Sequence, residues 1–301
     1  MRSTPMRSLA NQFGWLTLFI GGVLAINLGV ASAQNLGSGV KESGPQTCSL
    51  CDLRYRSYLG AKLDGSDFHG SYLFNANFTR SSLVSVNFES AFMVLAEFER
   101  ADLTNANLAK ANLGKTSMYG ATLRGARMIF VDLEEAYLEA AELTGADLTA
   151  ANMPQVRMPR VFASGALMRS ANLKESDLSE GNFRGANLEG ANLAGANLAN
   201  ADFSMANLRD ANLRGANLTG ANFSYSTLLN ANLTGADASK ATLYGTNMKG
   251  AKFIDANLKG AHIASVIKIG TDFCNAQMPD GKVGKCTGKS ATSKSKKPPA
   301  K

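Results

Sequence analysis

A period of five residues runs without a break through three-quarters of the chain, and it limits the fold more than any other feature. From Ala186 the sequence reads ANLEG ANLAG ANLAN ADFSM ANLRD ANLRG ANLTG ANFSY. Stepping by five from Leu103 in both directions holds one frame from Cys51 to Asp280, 46 units in 230 residues. The central residue is Leu, Phe, Met, Ile or Tyr in 43 of the 46 units; Ala163, Ala238 and Lys268 are the exceptions. Two positions earlier stands Ala in 30 units, and between the two stands Asn or Asp in 26. A frame this long with no gap means that insertions between units are not tolerated.

A period of five fits neither the 3.6 of an α-helix nor the 2 of a long strand. The two apolar positions of a unit lie two apart, so they point the same way, as in a strand. The next pair comes three later, so the chain must turn a corner between them. Gly fills the last position of 17 units, where a tight turn can require positive φ. A short strand and a corner, repeated, coil the backbone so that neighbouring turns stack by main-chain hydrogen bonds.

The units resemble those of the pentapeptide-repeat family, whose pattern is A(D/N)LXX, over about three-quarters of the chain. The resemblance implies an all-β fold, a right-handed quadrilateral β-helix with four units per coil. Central residues would then face the axis, with the preceding small residues inward near the corners. Forty-six units make 11.5 coils, or a rod of roughly 55 Å at about 4.8 Å per coil. Residues twenty apart should stack. Phe183, Phe203 and Phe223 would form one column, Phe68 and Phe88 a second, Phe78 and Phe98 a third, and Phe253 and Phe273 a fourth. Leu193, Leu198, Leu213 and Leu218 belong to the same inward ladder, and Tyr58 reads as a core filler.

One stretch departs from the pattern. Residues 153–165, MPQVRMPRVFASG, keep the frame but carry Pro154, Pro159 and an inverted Phe162–Ala163 pair. The expectation is a distorted coil with an interrupted backbone ladder. Arg157, Arg160 and Arg169 follow an acidic run (Asp132, Glu134, Glu135, Glu139, Glu142, Asp147), which reads as a solvated face or a marked one.

Charge places the basic character outside the repeat. The formal net charge is +7, but residues 51–280 hold 21 Lys+Arg against 23 Asp+Glu. Residues 281–301 hold seven Lys and no acid. From Thr287 the sequence TGKSATSKSKKPPAK is low in apolar residues and is expected to be disordered, a solubilising tail or a contact for an anionic surface. At the other end, Arg2 and Arg7 precede the mostly apolar stretch Phe13–Val30 and the small-residue box Ala31-Ser32-Ala33. That order is expected of an export signal cleaved before Gln34; an uncleaved membrane anchor is the alternative. The organisation expected is thus a signal at 1–33, an N-terminal cap or linker at 34–50, the β-helix at 51–280, and a cap end with a basic tail at 281–301.

Four cysteines sit at the two ends of the repeat, and in an exported chain they read first as two disulfides. With a rod of about 55 Å between the ends, the pairing expected is Cys48 with Cys51 and Cys274 with Cys286. The stretch TDFCNAQMPDGKVGKC resembles end caps of exported members of the family. CSLC could instead be a redox pair, although no βαβ pattern surrounds it.

Chemistry-bearing constellations are sparse. The chain has two His, His69 and His262, both at non-central positions with no Ser or Cys beside them. The Asn/Asp columns could offer oxygen to a cation but read as the hydrated wall of the repeat. No catalytic residue, metal ligand or cofactor is expected, and no nucleic acid. The function expected is a non-catalytic exported scaffold for an unknown protein partner, with a homodimer as one form. Some members of the family protect DNA gyrase from quinolones by resembling duplex DNA, but that requires an acidic rod inside the cell. An extracytoplasmic thiol oxidoreductase using Cys48 and Cys51 is the third class. If central residues face inward, Leu198→Asp will lower the melting temperature sharply, because it strands a charge in an apolar axis. Ala196→Leu will cost about 1–3 kcal/mol by overpacking. Thermal melts of the two variants check both, and unchanged midpoints would reverse the inward assignment.

Overall fold

The computed structural model describes residues 44–286. The expected export signal and the expected disordered tail from Thr287 lie outside the described residues. Among the described residues the backbone pairs with itself at a constant offset of twenty. Parallel bridges run from Thr47↔Asp67 through every fifth residue to Asn257↔Gln277. Four units therefore complete one coil, and each coil lies in register on the next. The four faces are named here by their central residues. Face A carries Leu53 and its twenty-residue repeats to Phe273, face B Tyr58 to Met278, face C Leu63 to Ile263, and face D Phe68 to Lys268.

Three hydrogen bonds per unit tie the coils together. The central N–H of Leu198 donates to the carbonyl of Asn217 (2.7 Å), Asn217 N–H donates back to Ala196 (2.9 Å), and Asn200 N–H donates to Thr219 (2.9 Å). A fourth closes the corner, as when Ala201 N–H donates to the Leu198 carbonyl three residues back (3.1 Å). The third residue of that turn is the last of the unit, and it has positive φ at every unit end from Leu50 to Asn275. Positive φ there is the mark of a type II turn. Seventeen of these residues are Gly and 29 are not. None of the 29 is Val, Ile, Thr or Pro. A β-branched side chain clashes at positive φ and proline cannot reach it, so the position selects against shape more strongly than it selects for glycine.

The turn also corrects the expectation for residues 153–165. The ladder is uninterrupted there, with bridges Asn152↔Asn172, Arg157↔Asp177 and Phe162↔Asn182. Pro154, Pro159 and Pro279 all occupy the second residue of the turn, where fixed φ suits a type II geometry. No N–H at that position donates to a backbone carbonyl among the described residues, so proline removes nothing from the ladder. The carbonyls of Pro154 and Pro159 still accept from Glu135 and Ala140 (both 3.1 Å). The inverted pair turns Phe162 outward and leaves Ala163 buried on the axis.

The core is a column of stacked, buried side chains along the axis. Phe183, Phe203, Phe223, Leu193, Leu198, Leu213 and Leu218 are all buried. The rings of Phe183 and Phe203 stack at 4.7 Å, and those of Phe203 and Phe223 at 5.4 Å. At the N-terminal end Tyr58, Phe78 and Phe98 stack on face B, and Phe68 and Phe88 stack on face D beside them. Buried hydroxyls at the small position find carbonyls, as Ser81 does at Phe78 (2.6 Å) and Thr246 does at Phe223 (2.7 Å). No buried side-chain nitrogen or oxygen among the described residues lacks a partner.

Both ends are stapled. Gln46–Leu50 forms one further unit ahead of Cys51, with Cys48 at its central position. The Cys48–Cys51 disulfide spans that unit's corner. In place of the usual corner bond, the Ser71 hydroxyl accepts from Cys51 N–H (3.2 Å) and donates to the Cys48 carbonyl (2.5 Å). At the other end the chain reverses after Met278, pairs Val283 antiparallel with Gln277, and is tied down by the Cys274–Cys286 disulfide. Lys268, at a central position, is exposed on this last coil.

Substitutions at two positions separate backbone strain from packing. Ser170 is exposed with φ of 54°, so Ser170→Val will destabilise by about 1–2 kcal/mol while Ser170→Gly is neutral or stabilising. A Cβ on Gly181 would lie 2.6 Å from the Phe183 ring and 3.2 Å from Val161, so Gly181→Ala will cost about 1–3 kcal/mol. Urea unfolding of the three variants gives the comparison.

Candidate interaction face

Outward side chains alternate with inward ones along each strand, so every face is a flat array with a row every coil. On most of the surface the array is a ladder of Asn and Asp. The Asn172 side-chain amide donates to Asn152 Oδ1 (3.1 Å), Asn192 to Asn172 (3.2 Å) and Asn212 to Asn192 (3.0 Å). The same oxygens accept the turn N–H two residues on, as Asn192 Oδ1 does from Ala194 (3.3 Å). These oxygens are thus committed to the fold. Among the described residues no group of three or more His, Cys, Asp or Glu is placed to hold a metal ion.

Face A breaks the ladder near the N-terminal end. Where Asn or Asp is usual it carries Tyr72 and Phe92, 50% and 49% exposed, whose rings stack at 5.2 Å. Tyr55 meets Phe74 edge-on at 5.6 Å, and Leu95 is exposed beside half-buried Val94. Six apolar side chains therefore form one plate over three coils. Below it Gly114 leaves a dent of about 250 Å³ lined by Val94, Asn112, Lys115 and the acids Asp132, Glu134 and Glu135. A second groove, about 360 Å³, follows the corner between faces A and B. Glu135, Gln155 and Glu175 line one side of it, and Tyr137, Arg157 and Asp177 the other. Arg157 lies over the Tyr137 ring at 5.2 Å, so the one cation of the lining is already engaged. Lys174 and Gln155 beside Glu175 hold its carboxyl below the usual range.

The remaining sequence candidates are scattered. His69 is exposed on face D, and His262 on face C stacks against Tyr244 at 6.1 Å. Tyr58 is buried. All four cysteines are in disulfides, which leaves no free thiol in this state. Arg157 and Arg160 lie on face B and its corner, where Arg160 pairs with Glu139; Arg169 lies on face D facing Glu189 at 3.9 Å. The aromatic plate escaped the sequence reading because only central residues were followed at a spacing of twenty. The signal was present in the outward column, where Tyr72 and Phe92 replace Asn/Asp exactly one coil apart.

A profile of the family described as Pentapeptide repeats matches eight copies, in residues 60–89, 81–120, 96–129, 116–155, 176–220, 216–255 and 231–267. These spans cover more than half of the chain, which belongs to that family. Among solved structures, the chain is similar to HetL, a pentapeptide repeat protein involved in heterocyst differentiation regulation from the cyanobacterium Nostoc sp. The identity is 28% over 79% of this chain and 91% of that one, with a TM-score of 0.38. It is similar to a pentapeptide repeat protein from the Arabidopsis thaliana thylakoid lumen, at 31% identity over 40% of this chain and 71% of that one, TM-score 0.20. QnrB1, a plasmid-mediated fluoroquinolone resistance protein, matches at 17% identity over 68% and 92%, TM-score 0.36. Curated protein sequences give no match.

The plate is bounded at its upper edge by a charge pair with a pH signature. Asp52 accepts from Arg54 Nε (2.8 Å) and Nη2 (2.7 Å) and from the Arg54 backbone N–H (3.3 Å). The guanidinium and that N–H lower its pKa from 3.8 to about 2. A depressed carboxyl contributes stability that is fully present above 3.8 and is lost as pH falls through about 2. The Asp52 carboxyl will titrate near 2 by NMR, and Arg54→Ala will return it toward its ordinary value.

Proposed function

We propose that this protein is a non-catalytic exported scaffold, a right-handed quadrilateral β-helix that offers face A to a partner protein. One observation carries the reading: the plate of Tyr55, Tyr72, Phe74, Phe92, Val94 and Leu95 on a surface where Asn and Asp are the commonest outward residues. Contiguous exposed apolar surface on a soluble fold marks a contact site, and aromatic residues concentrate the binding energy of protein interfaces. The array behind it is preorganised, because each outward row is fixed by the coil beneath, so binding orders little backbone. Membership of the repeat family accords with a role in protein interaction. Export is supported by the Arg2/Arg7, Phe13–Val30 and Ala31-Ser32-Ala33 sequence and by a disulfide at each end. A gyrase-directed mimic of DNA would need a strongly negative rod, whereas residues 51–280 carry 21 basic against 23 acidic side chains.

Two measurements test the reading. A photo-crosslinking residue at Phe92, expressed in the native host, will give a discrete adduct that the same residue at Asn222, on the Asn/Asp ladder of face C, does not. Adducts at both sites or at neither would reject face A as the contact. Separately, the intact mass from the native host will begin at Gln34 and show thiol alkylation only after reduction; a full-length mass with four alkylated thiols would reject export.

A further inference from the structure

The corner between faces A and B continues from the acidic groove to the C-terminal staple as a bare lane. Its successive residues are Glu135, Gln155, Glu175, Gly195, Gly215, Gly235, Asp255 and Asn275. Three consecutive glycines open the lane, where a Cβ at Gly215 or Gly235 would meet nothing within 4 Å; the Glu175 side chain comes to 3.4 Å from a Cβ at Gly195, and exposed Arg214 stands next to Gly215. Beside its far end, Cys286 is fixed to Cys274 on face A, at the head of the lane. The segment that follows, TGKSATSKSKKPPAK, has five Lys and no acid.

We propose that residues 287–301 dock along this lane and seat their lysines in the groove of the same molecule. The register is set by two repeats that match. From Asn275 to Glu175 is five coils, about 24 Å at sheet spacing, and from Cys286 to Lys294 is eight residues, about 25 Å in an extended polyproline-like chain. From Asn275 to Glu135 is seven coils, about 34 Å, and from Cys286 to Lys297 is eleven residues, also about 34 Å. Between Cys286 and Lys294, Lys289 falls at Gly235, and Ser290, Ala291, Thr292 and Ser293, all small, pass over Gly215 and Gly195. Pro298 and Pro299 reach the dent at Gly114 and the foot of the aromatic plate. The acids are available: the contacts of Glu135 with Lys115 (3.5 Å) and of Glu175 with Lys174 (3.2 Å) are exposed pairs that an incoming lysine displaces at little cost. Tethering supplies the rest, since a short linker holds the segment at an effective concentration on the millimolar scale.

Carbodiimide cross-linking of the purified protein at low concentration and low salt, read by peptide mass spectrometry, tests the register. Lys294 will link to Glu175 or Asp177, and Lys296 or Lys297 to Glu135 or Glu134, in the monomer. The yield will fall about fivefold at roughly 0.5 M salt, where screening shortens to about 4 Å. Gly215→Arg will lower it comparably, because the substitution blocks the lane without touching a reacting group; Arg80, Arg100 and Arg160 already occupy the equivalent turn position with positive φ. Links spread evenly over carboxylates such as Glu89, Asp102 and Glu180 would overturn the register. Links confined to a dimer would assign the segment to a second copy and overturn docking within one molecule. Absence of these links together with low-salt binding to phosphatidylglycerol vesicles would assign it to a lipid surface instead.

Discussion

Every other property of this fold depends on the fixed length of the coil. The hydrogen bond from each central N–H to the residue nineteen on closes only if four units of five separate the coils, as from Leu198 to Asn217. One added residue would misplace every carbonyl above it and turn inward side chains out. The frame therefore runs 230 residues without a gap, although the residues that fill it differ from unit to unit. The same bond makes the core an alignment of like with like. A ring on the axis has another ring, or a side chain of similar girth, one coil above it, and Phe183, Phe203 and Phe223 stack on that account.

Departures from the pattern are absorbed by neighbours one coil away. Ala163 is too small for its central position, and the larger Phe162 beside it points to solvent. One coil on, Phe183 fills the axis and Gly181 replaces Ala to make room for the ring. At the N-terminal corner, the Ser71 hydroxyl lies between Cys51 N–H and the Cys48 carbonyl, so the staple leaves no polar group stranded. Both compensations come from residues twenty apart.

The period of five pointed to a stacked, cornered coil, and four units per coil came from the resemblance to the family. Face columns could be written down by counting in twenties, and the cysteines at the ends could be paired from the length of the repeat. Proline was misjudged for a definite reason. In an ordinary strand Pro154 and Pro159 would break the ladder, but here they occupy the one turn position whose N–H the backbone does not use. The role of the last position was read only through glycine, whereas 29 other residues adopt the same φ. Composition shows which residue is enriched at a position; the stronger constraint was which shapes never occur there. The aromatic plate lay in plain sight in the outward column, but a surface acquires meaning only once its neighbours across coils are known.

The exposure of Lys268 has a consequence for growth. A stack of identical rungs has no intrinsic reason to stop, and its last rung is a template for another. On that rung the N–H groups of Phe273, Lys268 and Ile263 have no backbone acceptor, while the terminal hairpin pairs with face B and its staple closes on face A. Ile263, Phe273 and Met278 are only partly buried there, so the end would be sticky to a second rod. A charged side chain in the ring of central residues makes that end a poor seed, since a rod laid on it would have to bury an unpaired ammonium. Lys268 thus keeps a charge on the open side of the last rung, and replacing it by Leu would leave that side apolar.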